Sequence, residues 1–82
     1  MNKKTLDRIN ELVPQVDKVK KLINGFNDII LSVKDEENAK YRKYWIGFFD
    51  YKAKADIKNA LVCLKRRFEQ ELKKLGYEED EE

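Results

Sequence analysis

The chain has no histidine, one cysteine, one proline and three glycines among its 82 residues, and each scarcity removes a class of reading. Without histidine, the commonest general base and the commonest metal ligand are both missing. A lone Cys63 leaves no intramolecular disulfide framework. It lies between Val62 and Leu64, beside a helical seam, which reads as a small buried hydrophobe rather than a nucleophile. Gly25, Gly47 and Gly76 stand apart, so there is no glycine-rich phosphate loop. The acidic stretch Glu78–Glu82 lacks the turn glycine and ligand spacing of a dedicated calcium loop. Long hydrophobic runs are also missing. The longest aliphatic run, Ile29-Ile30-Leu31, is far too short to span a bilayer. The basic start, Met1 to Asp7, leads into no apolar segment of the secretory kind. The expectation is a cytoplasmic protein without enzymatic activity, cofactor or metal, and with no membrane partner.

Charge, by contrast, is abundant: 41% of the residues are ionisable Asp, Glu, Lys or Arg. A surface so heavily solvated leaves only a narrow stripe for a core, and 82 residues make one domain at most. Small chains of this kind often complete their core by oligomerising. The formal net charge of +2 hides an uneven distribution. Residues 1–37 carry seven basic and seven acidic groups, and residues 38–54 carry five basic groups against Asp50. Residues 55–75 carry six against three, and residues 76–82 carry five acids and no base. A basic middle and an acidic tail suggest an anionic partner for the middle.

Two helical signals frame the chain. Ile9, Leu12, Val16, Val19, Ile23, Phe26, Ile30 and Val33 alternate at spacings of three and four, the seam of one helix. Thr5 is the expected N-cap, with Asp7 in the first turn. Pro14 predicts a kink, and Asn24-Gly25 is a turn dipeptide elsewhere, but the ladder holds its phase through both. The reading is therefore one kinked, continuous helix over residues 5–36, about 48 Å long, ended by Asp35-Glu36-Glu37-Asn38. Ile57, Leu61, Leu64, Phe68, Leu72 and Leu75 give a second seam, predicting a helix over 56–75. Asp56 is its candidate N-cap, and Gly76 marks its C′ stop. Residues 77–82 read as a disordered acidic tail, leaving residues 1–76 as a single helical domain. Leu6, Val13, Leu22, Ile29 and Leu31 lie off the main seam and widen the first helix's apolar face, which points to a homo-oligomer joined there.

Between the helices, six of the nine aromatic residues fall within Tyr41 to Tyr51, and basic residues flank them. Tyr41, Tyr44, Phe48 and Tyr51 recur at helical spacing, yet the mixture of Tyr, Trp, Ile and Phe also has high strand propensity. Residues 40–52 thus form a separate short element, helix or strand, out of register with the seam that follows. A break is expected near 50–55. One function for this element is structural, closing the end of a helical hairpin. Six rings exceed that need, and aromatic faces stack on bases while cations neutralise phosphate. The candidate ligand-binding residues are Tyr41, Arg42, Lys43, Tyr44, Trp45, Phe48, Lys52 and Lys54, with Arg66 and Arg67 as further phosphate contacts. The same aromatics would also suit docking on another protein, since Tyr, Trp and Arg are enriched at interface hot spots.

The heptad ladder from Ile9 to Val33, the basic-aromatic connector from Tyr41 to Tyr51 and the acidic end together resemble small phage-encoded helical anti-defence proteins that act by binding. The likeness is one of architecture across the whole chain and carries no functional residue over. It implies either an oligomer that sequesters a nucleotide signal or a blocker of a host protein. The fold class expected is all-α or nearly so: a long N-terminal helix, a short aromatic element and an antiparallel C-terminal helix. The function expected is a homo-oligomeric binding protein that captures a nucleotide-type anion or a nucleic acid through residues 40–54. The alternative is an inhibitor or adaptor that docks on a host protein, with the acidic tail assisting.

Overall fold

The computed structural model describes residues 2–77 as two helices joined through a small antiparallel hairpin. The order is nearly palindromic. Helix α1 (Lys3–Asn24) leads through one 3-10 turn (Phe26–Asp28) into strand β1 (Ile30–Lys34). Strand β2 (Tyr41–Trp45) returns through a second 3-10 turn (Ile46–Phe48) to helix α2 (Tyr51–Lys74). The described residues are therefore mostly helical, with one two-stranded sheet.

Helix α1 is capped by Asn2, whose side-chain oxygen accepts from the Thr5 backbone N–H at 2.8 Å, satisfying one orphan donor of the first turn. Asn2, not Thr5, is the cap, and Asp7 falls beyond the first turn. The helix runs through Pro14 without ending. It does end at Asn24-Gly25, where the Gly25 N–H still donates to the Lys21 carbonyl at 3.0 Å. The continuous helix over 5–36 is thus corrected to one of 22 residues, Lys3 to Asn24. The ladder kept its phase because Phe26, at 6% exposure, remains buried after the break, carried there by the 3-10 turn. Beyond it, Ile29-Ile30-Leu31-Ser32-Val33 is rich in β-branched side chains that suit a pleated strand better than a crowded helix turn. Ile30 and Val33 leave the seam altogether and stand exposed.

Helix α2 begins five residues before Asp56. Asp50 is its N-cap, accepting from the Ala53 N–H at 2.8 Å. It closes at Gly76, whose φ of 87° places it in the left-handed region. The Tyr77 N–H donates back to the Leu72 carbonyl and the Gly76 N–H to that of Lys73, the paired bonds of a Schellman stop. Tyr77 accordingly belongs to the fold rather than to a tail, while Glu78–Glu82 lies outside the described residues.

The start of α1 meets the end of α2, so the helices run antiparallel. Ile9, Leu12, Val16 and Leu72 form the buried cluster there, with Val13, Phe68, Leu75 and Tyr77 packed against it. The Arg8 guanidinium grips Glu71 through Nε at 3.0 Å and Nη2 at 3.1 Å, and reaches Glu11 at 3.1 Å. These hydrogen bonds, that to Glu71 foremost, push the Arg8 pKa up. At the other end, Phe26 and Ile46 are buried where the two 3-10 turns meet, and Val19 is buried on α1. The off-seam residues do not build one widened helix face. Val13 joins the core, Leu6 and Leu22 are exposed, and Ile29 and Leu31 have left the helix. Cys63 is exposed rather than buried, because it sits off the seam of Leu61 and Leu64.

Replacing the fully buried Leu12 by Ala should cost about 2–5 kcal/mol of unfolding free energy by denaturant titration. Val33→Ala, at a position of the same heptad ladder, should change stability by less than about 1 kcal/mol. A continuous helix would make both losses large. Gly47→Ala should destabilise by about 1–2 kcal/mol, since an added Cβ would stand 3.0 Å from the Asn27 carbonyl oxygen in the facing turn.

Candidate functional site: the aromatic-basic hairpin

The segment Tyr41 to Trp45 is a strand because its partner supplies a ladder in a fixed register. Ile30 lies opposite Trp45, Leu31 opposite Tyr44, Ser32 opposite Lys43, Val33 opposite Arg42 and Lys34 opposite Tyr41. The hairpin closes where the Asp35 N–H donates to the Lys40 carbonyl at 2.7 Å. Asp35 does two further things with its carboxylate: Oδ1 accepts from the Glu37 N–H at 3.0 Å, and Oδ2 pairs with Arg42 at 3.2 Å. The acidic stretch expected to end a helix is therefore a hairpin turn, built on an Asx-type bond. Ala39 completes it at φ 53°, a conformation that costs an alanine side chain energy.

The pleat sorts the side chains. Residues directly opposite share a face, so Tyr41, Lys43 and Trp45 lie with Lys34, Ser32 and Ile30 on one face of the sheet. Arg42 and Tyr44 lie with Val33 and Leu31 on the other. The first face alternates ring, cation, ring, with the two rings about 13 Å apart along the strand. The second is apolar apart from Arg42, whose charge is met by Asp35. All ten strand residues are exposed. Tyr44 and Trp45, both candidate ligand-binding residues, therefore point to opposite sides.

Beyond the strand, the Phe48 ring meets Trp45 edge-on, with centroids 5.6 Å apart and planes at 72°. Phe48 and Tyr51 are almost wholly exposed, at 84% and 87%. Lys52 and Lys54 stand in the first turns of α2, next to the N-cap carboxylate of Asp50. Among the described residues Lys43, Lys52 and Lys54 form no ion pair, so their charge is available. Arg66 and Arg67 are not gathered with these lysines: Arg66 lies fourteen positions along the helix from Lys52, roughly 21 Å. Arg67 instead borders a shallow open depression with Ala60, Cys63 and Leu64.

Sequence reasoning missed Ile30, Ser32 and Lys34 as neighbours of the site. The signal was available: two five-residue runs of strand-favouring composition separated by Asp35-Glu36-Glu37-Asn38-Ala39-Lys40. Among the described residues, no cluster of three or more Cys, Asp or Glu could hold a metal ion, and no helix is long and apolar enough to cross a membrane. Relieving the turn strain by Ala39→Gly should raise stability by about 0.5–1 kcal/mol, seen as a higher thermal midpoint. No family model, curated protein or solved structure matches the chain.

Proposed function

We propose that the protein is a non-enzymatic binding module that captures single-stranded nucleic acid, or a nucleotide-type anion, on the hairpin face bearing Tyr41, Lys43 and Trp45. The observation that carries this reading is the alternation of ring, cation and ring on one open face, with Lys34 beside Tyr41. An exposed ring offers a sequence-independent surface for a base, worth about 1–3 kcal/mol each. A lysine between two such rings meets the phosphate of a strand laid along β2. Phe48, set edge-on to Trp45, holds that indole in place, and Lys52 and Lys54 extend the positive field. Arg42 contributes less, since its charge is already engaged by Asp35. Sequestering such a ligand is the role implied by the likeness to phage-encoded anti-defence proteins.

A fluorescent single-stranded oligonucleotide provides the test, read by anisotropy. Tyr41→Ala and Trp45→Ala should each weaken binding about 5- to 150-fold. Lys43→Ala should weaken it and lower the dependence of log K on log salt by about 0.7. The pair Arg42→Ala and Tyr44→Ala, on the opposite face, should leave binding nearly unchanged. Equal losses from both faces, or no binding by the parent protein, overturn the proposal.

The exposure of Phe48 and Tyr51 supports a second reading, docking of these rings on another protein. The two differ in salt response. Phosphate capture weakens steeply with ionic strength, whereas an aromatic protein contact does not.

A further inference from the structure

Both strands of a two-stranded sheet are edges, and the two edges of this hairpin are not equivalent. The Ile46 N–H donates to the Ile29 carbonyl at one end and the Asp35 N–H to that of Lys40 at the other. In an antiparallel ladder the inward-bonding pairs recur every second residue. Residues 29, 31, 33 and 35 thus spend their backbone groups on β2, and residues 40, 42, 44 and 46 spend theirs on β1. The backbone groups of Ile30, Ser32 and Lys34 face outward along the β1 edge. Those of Tyr41, Lys43 and Trp45 face outward along the β2 edge.

We infer that β1 is a self-pairing edge, and that a second copy of this chain adds to it antiparallel about a two-fold axis at Ser32, giving a four-stranded sheet in the order β2-β1-β1-β2. This register engages all three outward residues: Ser32 faces its own copy, and Ile30 faces the partner's Lys34. Between these pairs, Leu31 of each chain lies opposite the partner's Val33 at a position where side chains approach most closely. The apolar face gains a continuous strip of Leu31, Val33 and Tyr44 from both chains. No like charges stand directly opposite across the new junction, and small Ser32 crowds nothing at the axis.

The same operation on the β2 edge fails electrostatically. Centred on Lys43, it sets that lysine against its own copy on one face, a like-charge pair that opposes pairing. Joining β1 to a neighbour's β2 would leave free edges at both ends and grow an open filament, whereas the β1–β1 pair closes. It leaves Lys43 on both outer edges, the usual guard against further addition. A lone two-stranded hairpin is marginal in water, and four strands with a shared apolar face remedy that. Nothing in this inference depends on what the Tyr41–Lys43–Trp45 face binds. The dimer would, however, carry two such rows on one sheet face.

Sedimentation equilibrium of the full chain, run from low to high micromolar concentration, tests the inference. The parent protein should be a dimer and Ser32→Lys, which places two lysines at the axis, a monomer with unchanged helical circular dichroism. Lys43→Ser should remain a dimer. Because Ser32→Lys could disturb the hairpin itself, a second readout uses Cys63→Ser as background. There Ser32→Cys should cross-link between chains under mild oxidation, the facing Cα atoms lying about 5.5 Å apart, and Lys43→Cys should not. A monomeric parent protein, a dimer that survives Ser32→Lys, or cross-linking through residue 43 instead of residue 32 would each overturn it.

Discussion

The meeting of the two 3-10 turns organises the whole molecule. Ile46 is 1% exposed, and its N–H donates to the Ile29 carbonyl at 3.0 Å, the first rung of the hairpin ladder. In the same place Gly47 leaves room for a close approach of the two turns, since a Cβ added there would stand 3.0 Å from the Asn27 carbonyl oxygen. One junction thus closes the helical pair on one side and starts the sheet on the other. It also sets the parity of the ladder. Because residue 29 faces residue 46, Trp45 falls on the face of Ile30, and every later side chain follows.

The two halves of the protein meet their energetic needs differently. The helices bury one stripe, from Ile9 and Leu12 to Leu72, and leave the rest of their surface to lysine and glutamate. The hairpin buries nothing of its own strands. Its stability comes from the junction below and from Asp35, which binds the turn and Arg42 at once. A segment that exposes Tyr41, Tyr44, Trp45, Leu31 and Val33 together is more apolar than a solvated edge normally is. The proposed binding rests on this surface. The pleat permits two separate roles: the face with Lys34 and Lys43 is charged and aromatic, and the face with Leu31 and Val33 is apolar and electrically balanced.

A division of this sort separates candidate residues that stand together in the sequence. Tyr44 and Trp45 are neighbours in sequence, and neighbours on a strand point apart. Tyr41 and Trp45 share a face although they are four residues apart, and Lys43 stands between them. Helical spacing would have grouped Tyr41, Tyr44 and Phe48 instead. The character of the segment was legible, but its geometry depended on which of two periodicities applied.

The amino-acid sequence by itself determined the helical seams, because 3.6-residue periodicity is a local property that any amphipathic helix must obey. It also determined the Gly76 stop and the basic character of the middle, whereas residues 40–52, read as one separate element, divide among β2, the second 3-10 turn and the start of α2. Only the tertiary structure decided where α1 ends. Phe26 stays buried past Gly25, so the heptad pattern continued across a break that local periodicity could not register. Strand formation over 30–34 and 41–45 was likewise decided by pairing, since a strand's hydrogen bonds lie with a partner remote in sequence. The face on which each candidate residue lies followed from that register, and no composition or spacing could supply it.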